Sequence, residues 1–290
     1  MKCYYATQSE SMTADGESTA AMVAFASGLA RYIRTEHPDR MVVCWDGGGS
    51  AYRLRLLPSY KANRGPNRHS SSHLPRAQVR EFLALAGVFQ VERTGFEADD
   101  LIAKYWQDAA EVDGPVVIVS EDKDFLQLAG ATPGGSRCEI VRSPGERWNE
   151  AGVTARMGAR PDQLPSVMAL TGDESDNVIG VPGIGPKRAV ALLEGAGWHL
   201  ESIEHPEVAQ MLQQVLLNRV LVNLRMPVPG LLLPPPPPFK PTGPGSVLFA
   251  EFVDFLTRYQ LKGLLGKLQS STLWSEDDRI AAHVVSNDAA

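Results

Sequence analysis

Cysteine is nearly absent from this sequence. Cys3, Cys44 and Cys138 are far apart and none forms a C-x-x-C pair, which argues against a thiolate zinc site or a disulfide framework and for a reducing, cytoplasmic setting. Apolar runs of about 18 residues are missing too, so no membrane span is expected. The opening "MKCYYATQSESMTADG" lacks the basic-then-apolar layout of a secretion signal. Acid is missing from one long stretch. From Gly47 to Arg80 there is no Asp or Glu, yet the stretch holds Arg53, Arg55, Lys61, Arg64, Arg68, Arg76 and Arg80 with His69 and His73. In a chain of net charge −6 this is a local basic patch. On charge alone it is either a solvated loop or the electrostatic footprint of a polyanion.

What is present is ordinary globular composition: 290 residues, 43% apolar and 21% charged, enough for one large domain or two smaller ones. Residues 17–36 have helical periodicity, with Met22, Phe25, Ala26, Leu29 and Ile33 on one face. Met41–Trp45 and Val116–Val119 read as buried strands, and 136–142 as a further one. The segment 95–111 reads as an amphipathic helix through Ile102, Tyr105, Trp106 and Ala109. Short apolar strands alternating with helices predict an α/β fold with a largely parallel sheet flanked by helices. After about residue 160 the strand signals stop. A helical region follows, with one long helix at 204–225, an extended Pro-rich connector at 226–245 and a closing helix.

Acids gather where strands and loops end: Asp46; Glu97, Asp99 and Asp100; Asp122 and Asp124; Asp173 and Asp176. Each group alone suits a helix start, a solvated turn or an N-cap. Together, at the carboxyl edge of a parallel sheet where ligands bind, they would repel strongly: two unit charges 4 Å apart cost roughly 4 kcal/mol at an effective dielectric of 20. Divalent cations are the natural compensation, and an all-oxygen donor set favours Mg²⁺ or Mn²⁺. A pair of such ions suits phosphodiester displacement. By this reasoning, removing one acid, as in Asp173→Asn, relieves repulsion and leaves cation-free stability unchanged or raised.

Two further features suit a nucleic-acid backbone. "GVPGIGPKRAVALL" reads as a hairpin between short helices. Gly183 and Gly185 would allow left-handed backbone and close approach, with Lys187 behind them and a helix N-terminus facing a phosphate. "YRLRLLPSYKANR" interleaves Tyr52 and Tyr60 with Arg53, Lys61 and Arg64, a pattern that suits base stacking and phosphate pairing. A basic loop or arch over the acidic edge would bring Lys61 and Arg64 to a reacting phosphate.

The motifs "WDGGG", "YRLRLLPSYKANR", "GFEADDLIA", "SEDKDFLQL" and "GDESDNVIGVPGIGPKRAVALL" occur in the order and spacing of a known family. Over roughly residues 12–265 the chain resembles the 5′-nuclease (flap endonuclease) family, as found at the front of bacterial repair DNA polymerases and in stand-alone bacterial and phage relatives. The resemblance implies a PIN-like metal-dependent α/β core at 1–160, with a helical arch at about 52–80, and a helix-hairpin-helix region at 161–290. It implies a Mg²⁺- or Mn²⁺-dependent 5′-3′ exonuclease and flap endonuclease with two ions, and K⁺ at the hairpin. Its expected metal ligands are Asp46, Glu97, Asp99, Asp100, Asp122, Asp124, Asp173 and Asp176, with Lys61 and Arg64 at the reacting phosphate. Arg53, Tyr60, Gly183, Gly185 and Lys187 are expected on DNA. The implied partners are DNA with a 5′ flap or single-stranded 5′ end and a separate DNA polymerase, the protein acting as a monomer.

One departure stands out. The family's opening strand, ending in Val-Asp-Gly, has no counterpart, and Asp15-Gly16 follows no apolar run, so the missing ligand is not assigned to Asp15. The expectation is a start upstream or a reduced site. The reduced site keeps open a second reading, a catalytically weakened structure-specific DNA-binding protein. A ribonuclease of related acidic-site fold is a third.

Overall fold

The computed structural model of the chain describes residues 20–64, 76–110, 114–143, 146–243, 245–259, 261 and 263. Asp15, Arg68, His69, His73, much of the expected arch and the end of the closing helix lie outside them. The described residues fall into two compact units, one built from 44–64 and 92–234, the other from 20–43, 76–91 and the chain after 234.

The second unit is helical. Helix α1 (Ala20–Glu36) buries the predicted stripe of Met22, Phe25, Ala26, Leu29 and Ile33. Helix α3 (Arg76–Leu85) and helix α10 (Phe249–Arg258) complete its core, where Phe25, Phe252 and Phe255 surround Phe82 at ring-centroid distances of 6.2, 6.0 and 5.9 Å. Two short strands, β1 (Val42–Trp45) and β2 (Phe89–Glu92), pair as a ladder. Neither α3 nor β2 is among the elements expected above, although Val79, Phe82 and Leu83 of α3 carry helical spacing.

The first unit holds the larger core. After β1 comes helix α2 (Ala51–Leu56), capped by Ser50, whose hydroxyl accepts from the Arg53 N–H. Helix α4 (Ala98–Asp108) is shorter than the predicted 95–111 because Glu97 occupies its N-cap. It buries Leu101 and Trp106 fully, whereas Ile102 and Tyr105 are only partly covered. Strand β3 (Val116–Val119) runs parallel to β5 (Arg137–Ser143) in register Val116 to Cys138. Strands β4 (Gly130–Ala131) and β6 (Glu146–Trp148) pair antiparallel with β5, so the four-stranded sheet is mixed. The β-branched run of β3 supplies a continuous apolar strand, whereas β5 alternates, burying Cys138 and Ile140 on either side of Glu139.

Helix α5 (Glu150–Met157) starts on the Asn149 side chain and ends on left-handed Gly158. Helix α6 (Leu164–Thr171) then leads into a feature absent from the sequence reading: a two-residue antiparallel ladder, β7 (Gly172–Asp173) with β8 (Val178–Ile179). The ladder closes a loop carrying the acidic turn Glu174–Asp176. Gly172 sits at φ 70° with Gly180 backbone only 2.3 Å from where a Cβ would stand, so the chain can fold back this tightly only without a side chain. The hairpin 180–185 and helix α7 (Pro186–Gly195) follow. The predicted long helix at 204–225 is two, α8 (Pro206–Gln210) and α9 (Leu212–Val222), broken at Met211. Among the described residues the Pro-rich connector carries no helix, and Pro238 makes an isolated bridge with Arg40. Among the described residues no helix is long and apolar enough to cross a membrane.

Asn218, on α9 and fully buried, holds the returning loop. Its amide donates to the Ala169 carbonyl at 3.0 Å and the Ile179 carbonyl at 2.7 Å. Replacing it by leucine strands two buried acceptors, each worth about 1–3 kcal/mol. Asn218→Leu should therefore lower unfolding stability by roughly 2–4 kcal/mol. Denaturant melts of the purified variant check this, and an unchanged midpoint would show that the amide does not anchor the loop.

Candidate active site

Every described site residue predicted from the sequence belongs to the first unit. Asp46, just past β1, accepts the Ala98 N–H at 2.9 Å, tying the end of the strand to the first turn of α4. Asp99 and Asp100 lie in that same turn, where the helix dipole favours negative charge. Asp122 follows β3 and caps the 3₁₀ turn Lys123–Leu128 by accepting the Asp124 N–H at 3.0 Å. Asp173 caps the turn Glu174–Asp176, accepting from the Ser175 N–H at 2.8 Å and hydroxyl at 2.7 Å. Ordinary capping chemistry therefore points each acid group at the end of its element.

Apart from Asp46, the acids divide into two sets. In the first, Asp99, Asp122, Asp124 and Asp173 act on one another. Burial, then the neighbouring Asp122, Glu97 and Asp46, push Asp99 up to about 7 against the opposing charge of Lys61. Burial, then Asp122, Asp173 and Asp99, push Asp124 up to about 8 against Lys123. The Asp124 Oδ1 is fully shielded and has no hydrogen-bond partner. Asp173 goes the other way. Burial acts to raise it, but the Ser175 hydroxyl and Lys123, whose Nζ lies 3.5 Å from Oδ2, more than offset that and hold it below the usual range. Among the described residues no three His, Cys, Asp or Glu side chains converge into a preassembled ligand shell. The two findings agree, because Coulomb coupling reaches well beyond ligand distance. Clustered carboxylates that raise the proton affinity of Asp99 and Asp124, the latter with an orphaned buried oxygen, fit a hard divalent cation. Thiols are no alternative: Cys44 and Cys138 are buried, which above all pushes both up to about 12.

In the second set, Glu97, Asp100 and Asp176 are matched by the chain's own cations. Arg53 Nη1 lies 2.7 Å from Asp100 Oδ1 and 3.3 Å from Glu97 Oε2. The Tyr60 hydroxyl lies 3.0 Å from Glu97 Oε2 and 2.8 Å from Asp176 Oδ2. Lys61 pairs with Glu97 and Arg64 with Asp176. The backbone follows: Lys61 N–H donates to the Asp176 carbonyl at 2.9 Å, and the Asn177 amide to the Ser59 carbonyl at 2.7 Å. Lys61 and Asn177 both sit at φ 57°, left-handed positions held by this stitching.

Two expectations change here. The sequence pattern places Arg53 and Tyr60 on DNA, but they are 5% and 7% exposed and their polar atoms are engaged internally. A base cannot stack on a ring enclosed in this way. Burial, with Glu97 next, also drives the Tyr60 phenol up, so it stays a neutral donor. Lys61 and Arg64 keep partial exposure. Nothing in the spacing of "YRLRLLPSYKANR" separates buried from exposed members, since α2 is too short to show a periodic face.

At the hairpin, Pro182, Gly183, Gly185, Pro186, Lys187 and Arg188 are exposed, while Val181 and Ile184 anchor it in the core. Only Gly183 of the two glycines is left-handed, at φ 73°. Gly185 is the extended N-cap of α7, at φ −87° and ψ 177°, with open space where a Cβ would stand. The conformational demand thus lies at Gly183, whereas Gly185 leaves room for a ligand.

An α/β unit with a capped acidic edge, continued by a helical hairpin, is the class of architecture these residues define. The family description "5'-3' exonuclease, N-terminal resolvase-like domain" matches residues 1–158, and "5'-3' exonuclease, C-terminal SAM fold" matches residues 159–231. The chain belongs to the 5′-3′ exonuclease family. It is 35% identical over 187 residues to thermostable DNA polymerase I of Thermus aquaticus, covering 64% of this chain and 21% of that polymerase. It is 33% identical over 187 residues to a 5′-3′ exonuclease of Aquifex aeolicus, covering 64% of this chain and 62% of that protein. The chain thus spans less than two thirds of either relative's length. Among solved structures it resembles the D15 flap endonuclease of bacteriophage T5, in a complex with DNA and metal ions. The TM-score is 0.58 at 19% identity over 83% of this chain and 91% of that one, a likeness of fold.

The carboxylate shifts set opposite signs for two variants. Unfolded aspartate titrates near 3.9. Asp99 and Asp124 keep their protons to about 7 and about 8 in the fold, so without divalent cation their contribution to stability is full below pH ~4 and is lost as pH rises to about 8. Asp173, held low, contributes above pH ~4 and loses that contribution in acid. In cation-free thermal melts, Asp124→Asn should gain several degrees at pH 8 and far less at pH 5, whereas Asp173→Asn should lose stability at pH 8. The latter reverses the expectation from repulsion alone. Added Mg²⁺ should raise the wild-type midpoint more at pH 8 than at pH 6, and a pH-independent response would remove the coupled acids as its cause.

Proposed function

We propose that this chain is a divalent-metal-dependent 5′-nuclease that hydrolyses phosphodiester bonds near the 5′ ends of DNA flaps, nicks or primers. The observation that carries the reading is the coupled acid set with the orphaned Asp124 oxygen, in the same unit as the exposed glycine hairpin. Family membership and the DNA and metal ions in the T5 complex support it. Asp99, Asp122, Asp124 and Asp173 would hold Mg²⁺ or Mn²⁺, in two sites, with Asp46, Glu97 and Asp176 at the margin. Bound divalent cations supply the positive charge that polarises the phosphodiester and stabilises its departing oxygen.

The chain's own residues do the rest. Lys61 and Arg64 pair with the reacting phosphate, leaving Glu97 and Asp176 as they do so, and so add charge where it develops in the transition state. Gly183, Gly185 and Lys187 grip duplex backbone, with K⁺ at the hairpin. Asp176 lies seven residues before Gly183, so the acidic loop and the hairpin fix the distance from duplex to cut. A core at 1–160, a helical region at 161–290, a cytoplasmic monomer and a separate polymerase belong to the same proposal.

A labelled 5′-flap substrate tests the assignment. Cleavage should need divalent cation, and Lys61→Ala or Arg64→Ala should slow single-turnover cleavage by about 100-fold or more while weakening flap binding much less. Flap binding without any cation-dependent cleavage would instead favour the structure-specific binding protein, and preference for RNA flaps the ribonuclease.

The hairpin makes a separate test. Gly183→Val forces a β-branched residue to positive φ, costing roughly 1–2 kcal/mol, and should weaken duplex binding with a shallower dependence on salt. Gly185→Ala is free of strain and should preserve folding, losing affinity only if phosphate approaches that open space. Normal affinity and salt slope in both variants would show that the turn does not touch DNA.

A further inference from the structure

We infer that Asp100 is not a cation ligand but the buried counter-ion of Arg53, and that this pair positions the first turn of α4 for the metal site. Both oxygens of Asp100 are already engaged. Oδ1 accepts from Arg53 Nη1 at 2.7 Å, and Oδ2 accepts the Glu97 N–H at 3.1 Å. The side chain is 0% exposed. A cation sharing Oδ1 would sit against a guanidinium of like sign. Asp124 offers the contrast, with its shielded oxygen unpartnered.

Arg53 reaches further than Asp100. Its Nη1 also lies 3.3 Å from Glu97 Oε2 and from Ser50 Oγ, and its Nε donates to the Leu221 carbonyl at 2.9 Å. One planar fork thus joins the start of α2, the start of α4 and the last turn of α9. Burial opposes charge on Arg53, yet Asp100 first, and Glu97 with it, more than offset that, so the guanidinium holds its proton more tightly than usual. A lysine carries the charge but cannot span these acceptors. Fixing Asp100 fixes the backbone between Glu97 and Asp99, and Arg53 also takes one oxygen of Glu97. Arg53 is therefore a positioning residue, acting on a cation only through the acids it holds. This functional half rests on the metal-dependent nuclease reading, whereas the pairing itself does not.

The experiment combines cation-free thermal melts with calorimetric Mn²⁺ titration of the full chain. Removing one member of a buried pair leaves an uncompensated charge, so Asp100→Asn and Arg53→Met should each lower the melting midpoint by roughly 10 °C. The double variant Arg53→Met/Asp100→Leu should recover most of that loss. Mn²⁺ stoichiometry should be unchanged in Asp100→Asn, with affinity reduced by about 10–100-fold, the effect of a residue that orients ligands. Arg53→Lys, the variant that keeps the buried charge, should show the same affinity loss, and the double variant should not regain it despite its recovered midpoint. Loss of one Mn²⁺ equivalent in Asp100→Asn, with an unchanged cation-free midpoint, would make Asp100 a ligand and overturn the inference. So would additive destabilisation in the double variant. If the wild type binds no Mn²⁺, the nuclease reading fails, and the pair is judged by non-additivity of the melts alone.

Discussion

Eight carboxylates from four stretches of chain lie in one compact unit, several of them out of water, and they cannot all be ionised without compensation. The local structure around the site answers that constraint in two ways. Glu97, Asp100 and Asp176 are matched from within by Arg53, Tyr60, Lys61 and Arg64. Asp99 and Asp124 are not, and they respond by holding protons far above their usual range. Asp173 stands between these cases, kept ionised by a serine hydroxyl and a lysine on the neighbouring turn. A group of acids only half neutralised by its own protein has a residual demand for positive charge, which a divalent cation would meet under the proposed function.

The internal pairs also explain how the basic segment is held. Lys61 and Arg64 do not project freely into solvent. Their turn is stitched to the Glu174–Asn177 region through backbone and side-chain bonds between residues far apart in the chain. Arg64 Nε donates to the Ser175 carbonyl at 3.0 Å, and the Asn63 amide to the Glu174 carbonyl at 2.5 Å. Charges presented from such a braced turn lose little conformational freedom when they change partners, which suits the proposed role of Lys61 and Arg64 at a phosphate.

Much of the fold is legible locally. The stripe on α1, the apolar run of β3 and the capping acids at 97, 122 and 173 follow from periodicity and from the needs of unpaired N–H groups. The acidic groups are legible as well, since each lies where an element begins or ends. Less legible are β2, only four residues long, and the β7–β8 ladder, whose strands are two residues each and depend on glycines packed backbone to backbone. Asn218 is visible in the sequence only as a polar residue on an otherwise apolar helix face.

The order of amino acids makes certain groups available along the chain: the acid groups, the basic stretch and the glycine hairpin. These are local matters, set by residue type and spacing. Which acids face cations of the chain and which face one another is settled by long-range packing. Arg53 and Tyr60 share a motif with Lys61 and Arg64, yet the first two are enclosed and the others partly exposed. Likewise Asp99 and Asp100 are adjacent, but one is pushed up by burial and by other acids while the other is clasped by Arg53. Burial and long-range Coulomb partners set those differences, and both arise from residues distant in the chain, beyond what local spacing encodes.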